Sequence, residues 1–563
     1  MRNLQRSIAC AVIFLSFAPR SHADTLDDLA RDFWAWRSSE QPVSTDDIPR
    51  LERPANWAPD WSPSSVARYQ QQLEEFEARW KKINPASWPV ARQVDYRLIG
   101  SALARVRWEF DINGSWQRDP TFYVDQSVGA YFYLLLTPPP FTPARTAQIV
   151  ATLASIPATV DAAKKNLTQP DAPFANLALD SLDDIRARVL KSVSALKPLL
   201  DRNTARDLDA RAENAVAALE AYRAWLIEKL PAMSPESAVG RDAYVFFLKN
   251  VALLPFTPEQ LQAIGRQEWA RSVSSQTYEE HRNLGAPELK IARDQAEQVS
   301  RGEKDEITIR RYLEEKDLLS VPVWIEHYGF APMPDYLAPL EGAGEADDFT
   351  GPSRLKENCT RYIDPPGPNL GYFALATAKD PRPDMVHEGV PGHYFQLALS
   401  WTHPDAIRRH YYDSSANEGL GFYAEEMMLH AGLFDDSPRT REILWNFMRL
   451  RALRVEVDVK LALGEFTLDQ AAAYLETNVP MDPRTAHAEA SLFASDPGQA
   501  ISYEIGKLQI YKFLADARSR QGSAFRLRAF HDFLWLNGNV PIALQRWEYL
   551  GLKDELEAVE HLH

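Results

Sequence analysis

Cysteine is scarce in this sequence, with two in 563 residues, Cys10 and Cys359. Cys10 lies in an apolar N-terminal stretch that we expect to be removed, so the mature chain would keep Cys359 alone and could form no intramolecular disulfide. Beyond its first residues the chain also lacks any apolar run long enough to span a membrane, and it has no internal repeat. The fold is therefore expected to depend on a hydrophobic core, helped at most by a metal ion.

Positive charge is also in deficit. Lys and Arg number 62 against 78 Asp and Glu, which gives a formal net charge of −16 and an isoelectric point near 5.3. An acidic surface keeps a protein soluble and disfavours nucleic acid and anionic membranes as partners. The composition is otherwise that of an ordinary globular protein and identifies no substrate.

The N-terminus has the three parts of a secretory signal peptide. Arg2 and Arg6 supply positive charge, and the residues from Ser7 to Ala18 form an apolar stretch too short to cross a bilayer. The tripeptide 21–23 (SHA) then fits the small-x-small cleavage pattern. We predict a signal peptide over residues 1–23, cleavage after Ala23, and a periplasmic or secreted protein with no membrane attachment. The alternative is a buried N-terminal helix.

Helical patterning dominates the rest of the chain. Apolar residues recur at i, i+3, i+4 and i+7 spacing in six segments, namely Ser64 to Ile83, Leu182 to Leu200, Thr204 to Leu230, Pro258 to Ser272, Arg439 to Leu463 and Thr467 to Leu475. Strand signals are few, and the best is Asn369 to Thr377, an aromatic and apolar run. We predict a mostly α protein, with an N-terminal helical half (24–230) and a C-terminal half (231–563) that carries the chemistry within one continuous domain.

The segment 387–393, HEGVPGH, is the candidate metal site. Two neutral imidazoles, here His387 and His393, with one carboxylate are a standard catalytic zinc set that leaves a position open for water. A glutamate beside the first histidine, here Glu388, can take the proton of that water, as in H-E-x-x-H enzymes. The segment thus predicts metal-assisted amide hydrolysis.

The spacing of these histidines departs from H-E-x-x-H, because residues i and i+6 of a straight helix diverge by about 120°. Pro391 lacks the N–H that would bond the carbonyl of His387, and Gly389 and Gly392 permit unusual backbone conformations. We predict a broken helix in which two extra residues loop out and His393 swings back. The alternative is that both histidines are ordinary helix residues.

A third ligand is expected from the segment 417–426, NEGLGFYAEE, which opens a helical stretch. Glu418 lies 25 residues after His393, enough for a turn and a return helix. Glu425 follows seven residues later on the same helix face, where it could orient a ligating imidazole. Both could instead be solvated carboxylates, but within this arrangement we favour ligation by Glu418.

The segment 496–507, DPGQAISYEIGK, is a further candidate for the site. Its Pro-Gly pair marks a turn, and Tyr503 would lie near the start of the next helix. A phenol donor is suited to stabilise an oxyanion that develops during hydrolysis. Packing in a helix interface is an equally good explanation of this tyrosine.

The motifs HEGVPGHYFQ, NEGLGFYAEE and DPGQAISYEIGKL resemble the bacterial family catalogued as domain of unknown function 885. That family is similar in turn to the helical zinc peptidases of the thimet oligopeptidase and carboxypeptidase Taq type. The resemblance implies a large two-lobed helical body with a deep central channel, zinc at its floor and a small β element near the metal. It implies His387, His393 and Glu418 as ligands and Glu388 as the general base.

The resemblance also suggests that the segment 369–377 is the edge strand of the channel. There a peptide could lie extended against Gly371, Tyr372 and Phe373 and add its backbone hydrogen bonds.

The sequence departs from those relatives at two places. Ala462 stands where they have a histidine after an Asp-x-Gly-Leu stretch. Leu492 and Phe493 precede the Pro-Gly-Gln segment, where an Arg-Tyr pair is common. The expected metal set is unaffected, but the way in which a substrate carbonyl or terminal carboxylate is held is left open.

We therefore expect a zinc metallopeptidase of short peptides, in which Glu388 acts as the base and Tyr503 stabilises the oxyanion. Two alternatives stay open: a metal hydrolase of another bond, such as an ester or a lactam, and a catalytically inactive peptide-binding or structural protein. Ala462 supports the inactive protein and Glu388 argues against it. A serine hydrolase is disfavoured because no G-x-S-x-G elbow is present. Manganese, cobalt and iron suit the same ligands as zinc.

Overall fold

The computed structural model describes residues 25–44, 51–55 and 57–562. The predicted signal peptide, 1–23, lies outside the described residues. The described chain is mostly helical with one small sheet, which confirms the predicted fold class. Within the described ranges, no helix is both long enough and apolar enough to cross a membrane.

The N-terminal half contains ten α-helices in its described residues. They are α1 (Leu26–Glu40), α2 (Pro63–Lys81), α3 (Val90–Arg107), α4 (Ser115–Arg118), α5 (Pro120–Val124), α6 (Ala130–Leu135), α7 (Pro143–Asn166), α8 (Ala172–Ser181), α9 (Ile185–Leu196) and α10 (Arg202–Lys229). The three helices predicted in this half correspond to α2, α9 and α10. Each of α2 and α10 begins where a side chain, Ser62 or Asp201, accepts a backbone N–H of the first turn.

The C-terminal half carries the remaining described α-helices. They are α11 (Arg241–Phe246), α12 (Pro258–Arg282), α13 (Gln295–Glu315), α14 (Tyr372–Lys379), α15 (Arg382–Asp384), α16 (His393–Trp401), α17 (Ala406–His410), α18 (Ser414–Ala431), α19 (Pro438–Ala462), α20 (Leu468–Asn478), α21 (Pro483–Ser495), α22 (Ile501–Gln521), α23 (Leu527–Leu536), α24 (Ile542–Leu550) and α25 (Asp554–Glu560). Capping boxes at Thr257 and Thr467 begin α12 and α20, two of the predicted helices.

The small sheet has three strands in the order β1-β3-β2, where β1 is Tyr328–Pro332, β2 is Asp347–Asp348 and β3 is Cys359–Ile363. The central strand β3 runs parallel to β1 and antiparallel to β2. Asp347 of β2 pairs with Arg361 of β3, and both residues line the cavity that contains the histidines. The sheet is therefore the β element beside the site.

The predicted strand at Asn369 to Thr377 is wrong, because this segment forms α14. Gly371 is its N-cap, and the Asp482 carboxylate accepts the Tyr372 N–H at 2.9 Å, a cap supplied from 110 residues away. A short apolar run suits a buried strand or a buried helix equally, so periodicity alone could not separate them. The tertiary cap decides for the helix.

Two helices that carry site residues, α18 and α22, cross in close contact. A Cβ built on Gly419 would lie 2.7 Å from the Cα of Gly506, so the two backbones touch where the glycines meet. This crossing brings the start of α22, with Tyr503, against the start of α18, with Glu418.

Candidate metal centre

The chain between the two histidines leaves the α-helical path, as the sequence predicts. A π-helical turn spans Met385–Gly389, Val390 is extended, and α16 starts at His393. Gly392 is the residue that makes this path possible, since a Cβ there would lie 1.7 Å from the carbonyl oxygen of His387. The Trp535 indole N–H donates to the Pro391 carbonyl at 2.7 Å and fixes the loop from the side of α23.

The break turns the two imidazoles towards each other. Their ring centroids are 4.7 Å apart, the rings are nearly perpendicular at 77°, and both residues are buried. Glu418 of α18 projects between them, with its Oε2 atom 3.4 Å from His387 Nε2 and 3.1 Å from His393 Nε2. Glu388 Oε2 lies farther away, 3.9 Å from His393 Nε2.

These separations fit the ligand set of a tetrahedral metal ion. Bonds of about 2.0–2.1 Å in a tetrahedron separate neighbouring ligand atoms by about 3.3 Å, close to the distances from Glu418 to both imidazoles. The buried Glu418 Oε2 atom contacts both imidazole Nε2 atoms and has no further hydrogen-bond partner within the described part of the chain, so an ion between the three atoms would satisfy all of them. His387, Glu388 and His393 also offer ligand atoms within 4.8 Å of one another, but Glu418 is the closer carboxylate and the better third ligand.

Glu425 contacts the side of His387 that faces away from Glu418. It lies on the same face of α18, two turns after Glu418. Glu425 Oε1 lies 2.6 Å from His387 Nδ1, which leaves Nε2 of that ring for a metal. The guanidinium of Arg451 lies 3.4 Å from the same oxygen. Metal-binding histidines in proteins are commonly oriented by a carboxylate at the ring nitrogen that does not bind the metal, and Glu425 has this position at His387.

Electrostatics at the centre favour ionised carboxylates. Burial alone would raise the pKa of Glu418, but the two histidines outweigh burial and lower that pKa well below its usual value. Burial likewise opposes ionisation of Glu388, whereas His393, His387 and Arg361 lower its pKa overall. Burial lowers the pKa of His387, and the Glu418 and Glu425 carboxylates more than compensate and raise it to about 9. The site thus attracts positive charge strongly.

Tyr503 lies at the start of α22, as predicted, and its ring stacks parallel to His387 with centroids 6.2 Å apart. The turn before this helix is held by the buried Asp458 carboxylate, which accepts the backbone N–H groups of Gly498 and Ile501. The guanidinium of Arg454 lies 4.4 Å from the centre of the Tyr503 ring on α22. Tyr503 is therefore part of the wall of the site and is firmly positioned there.

A single cavity of about 370 Å³ connects the predicted residues. Seven of them line it, namely Phe373, His387, Glu388, His393, Glu418, Glu425 and Tyr503. Gly371 and Tyr372 do not line it: a Cβ on Gly371 would contact Thr485, and the Tyr372 ring packs on Phe447. Of the three residues predicted to bind substrate, Phe373 alone reaches the cavity.

The two departures from the family pattern have different surroundings. Ala462 is buried in a hydrophobic cluster with Val459 and Ile505 and is not among the residues that line the cavity. Leu492 does line the cavity, and Phe493 is buried behind it. A histidine at 462 would therefore lie in the core of this chain and not in its site.

Sequence reasoning missed the charged residues that surround Glu388. Arg361 of β3 lies 3.8 Å from a Glu388 oxygen, 2.6 Å from Asp347 and 3.6 Å from Asp384. Tyr328 donates to the other oxygen of Asp347 at 2.8 Å. No local motif marks these residues, because the strands bring them to the site from separate parts of the chain.

Known proteins similar to this chain support the fold. The family model described as "Bacterial protein of unknown function (DUF885)" matches residues 51–547. A solved structure from Shewanella oneidensis, described as a candidate lipoprotein of unknown function, has 18% identity and a TM-score of 0.69, covering 93% of this chain and all (100%) of its own. A candidate lipoprotein from Colwellia psychrerythraea has 17% identity and a TM-score of 0.71, covering 96% and 98%. No curated protein matches.

Proposed function

The chain belongs to the bacterial family of unknown function DUF885, and we propose that it is a zinc-dependent metallopeptidase that hydrolyses short peptides. The observation that carries the proposal is the convergence of Glu418 Oε2 on two buried imidazole Nε2 atoms at 3.4 Å and 3.1 Å. The resemblance of that family to helical zinc peptidases, described in the sequence analysis, is a second reason for the proposal.

Different residues of the site would bind the metal, transfer the proton and stabilise the oxyanion. His387, His393 and Glu418 would hold the ion, which when bound lowers the pKa of water and polarises a carbonyl. Glu388 is ionised and lines the same cavity as the three ligands. It can therefore accept a proton from water and pass it to the leaving amine. Tyr503 lines the cavity and can donate a hydrogen bond to the oxyanion.

The proposed location is the periplasm or the extracellular space. The three-part pattern over residues 1–23 supports export, and the two similar solved structures are described as candidate lipoproteins, which agrees with it.

The decisive variant is Glu388→Gln, which removes the base and keeps the shape of the side chain. We expect it to retain zinc and to lose peptide hydrolysis by about 10²- to 10⁴-fold, the usual contribution of a general base. Glu476→Gln, at an exposed position of α20, is the matched control and should have wild-type activity. Digestion of a peptide library by zinc-loaded protein, with and without chelator, gives the readout.

Three outcomes would contradict the proposal or its assigned base. Full activity of Glu388→Gln on the library would show that Glu388 is not the base. Stoichiometric zinc and tight peptide binding with no turnover by the wild type would identify an inactive peptide-binding protein, and turnover of esters or lactams alone would identify a hydrolase of another bond.

A further inference from the structure

Two arginines of α19, Arg451 and Arg454, face the same cavity as the histidines. They are three residues apart and therefore lie on one side of the helix. Their side chains are each 6% exposed, so both charges are buried. Buried cations in proteins are ordinarily paired and fully hydrogen-bonded. Guanidinium nitrogens without a partner would therefore indicate that a ligand binds there.

Arg454 has hydrogen-bond partners for only some of its guanidinium nitrogens. Two of its nitrogens donate to the two oxygens of Glu489, each at 2.6 Å. Its third nitrogen, Nη1, is buried and has no hydrogen-bond partner within the described ranges of the chain. One N–H face of Arg454 is therefore available to a ligand in the cavity.

Arg451 has fewer hydrogen bonds than Arg454. Among the described residues it makes one hydrogen bond, a long one of 3.4 Å from Nη2 to Glu425, whose oxygen is also 2.6 Å from His387. The Nε and Nη1 atoms of Arg451 are buried without a partner among the residues that the structure describes. His387 and Arg451 therefore share one Glu425 oxygen, and two of the three guanidinium nitrogens of Arg451 make no hydrogen bond to the described residues.

Aromatic rings hold the Arg451 guanidinium in position. Phe373, Phe422 and Phe447 lie 5.5, 5.4 and 5.0 Å from it, measured to their ring centres. Such packing orients the planar group and stabilises its charge without occupying its N–H donors. The donors are fixed in space and unoccupied, which is the condition of a preorganised anion site.

Arg361, the other arginine that lines the cavity, is not a comparable site. It lies within 2.6 to 3.8 Å of Asp347, Asp384 and Glu388, so its charge is already surrounded by carboxylates. An anionic group that enters the cavity is therefore directed to Arg451 and Arg454 and away from Glu388.

We propose that Arg451 and Arg454 bind the C-terminal carboxylate of the peptide substrate, so that the protein is a carboxypeptidase that cleaves near the chain end. This inference rests on the proposed peptidase function. A carboxylate has two oxygens and suits guanidinium donors in pairs. One side chain, Glu425 or Tyr503, separates each arginine from His387, so the carboxylate lies close to the metal ligands.

The test compares peptides that differ only in the terminal charge. A library of acetylated tripeptides is made twice, as free acids and as C-terminal amides, and kcat/KM is measured for zinc-loaded protein. The wild type should prefer the acids by about 10- to 100-fold, the effect of one or two charge-assisted hydrogen bonds. Arg451→Met, which keeps an unbranched apolar side chain among the rings, should lower the rate on acids and bring the ratio close to one.

Arg449→Met is the matched control, because Arg449 is on the same helix but does not line the cavity. It should keep the wild-type ratio. If Arg451→Met fails to fold, Arg451→Lys and the wild-type ratio itself still decide the matter. Equal rates on acids and amides by the wild type would overturn the carboxylate subsite while leaving the peptidase function intact.

Failure of the peptidase function is recognised separately by binding to Glu388→Gln protein loaded with zinc. If no peptide is hydrolysed by the wild type, but the acids bind more tightly than the amides and Arg451→Met abolishes the difference, the subsite stands and the function is wrong. Equal binding of acids and amides would contradict the subsite whether or not hydrolysis occurs.

Discussion

Three carboxylates surround the two imidazoles, and their distances suit three different tasks. Glu418 is close enough to both Nε2 atoms to share an ion with them, at 3.4 Å and 3.1 Å. Glu388 is farther, at 3.9 Å from His393, which suits a base beside the ligands better than a third ligand. Glu425 contacts the opposite nitrogen of His387 and can only orient the ring. We infer that ligand, base and support are separate residues.

The supporting role of Glu425 predicts a specific effect of Glu425→Gln. Loss of its charge makes His387 a weaker ligand without removing any ligand atom, so zinc affinity should fall about 10- to 100-fold. Competition with a chromophoric chelator measures it, with Glu476→Gln as the control. An unchanged zinc affinity would mean that Glu425 only packs against the ring.

Some residues of the site could be predicted from sequence and others could not. His387, Glu388, His393 and Glu418 are recognisable because their residue types and spacing state a chemistry. Arg451 and Arg454 occur in a long amphipathic helix, where an arginine ordinarily indicates a solvated face. Their significance comes from what surrounds them in three dimensions, which no local pattern contains.

At the scale of elements, the site depends on how one helix stops and another begins. The π-helical turn Met385–Gly389 and the start of α16 at His393 reorient the second imidazole, and the predicted break between the histidines is observed. By contrast, the segment 369–377 was expected to be a strand and is α14, since its cap comes from Asp482. Breaks that proline and glycine cause are readable from sequence, whereas a cap from a distant segment is not.

The chain break makes Gly392→Ala an informative substitution. The new Cβ would overlap the His387 carbonyl oxygen, 1.7 Å away, so the backbone must shift and the imidazoles must separate. We expect loss of zinc binding and a decrease of at least about 2 kcal/mol in the free energy of unfolding. Gly367→Ala is the control, because no atom lies within 4 Å of its Cβ. Urea denaturation and zinc titration distinguish them, and a Gly392→Ala protein with normal zinc binding would contradict the described path.

At the scale of the whole molecule, distant helices support the site. Helix α23 contacts the loop through Trp535 and contacts α18 through His531, whose Nε2 lies 2.8 Å from the Tyr423 hydroxyl. His531 Nδ1 lies 2.7 Å from the carbonyl oxygen of Leu318. The ring thus donates at Nδ1 and accepts at Nε2, and this pair of bonds requires neutral imidazole.

Neutral His531 predicts how stability depends on pH. Burial lowers its pKa from 6.5 to about 4. Its contribution is fully present above pH 6.5 and is lost as the pH falls towards 4, because the unfolded chain takes up the proton first. The loss amounts to about 3 kcal/mol over that window. Urea unfolding of wild type and His531→Gln at pH 4 to 7 should show a shallower dependence in the variant, whereas parallel curves would contradict this.

The metal centre at His387, His393 and Glu418 is tested by the zinc content of protein purified without added metal, measured by elemental analysis for the wild type, His393→Ala and Glu418→Ala. We predict about one zinc ion per wild-type chain and far less in both variants, with all three proteins folded by circular dichroism. A wild-type protein that binds no divalent metal, or variants that bind as much as the wild type, would contradict it.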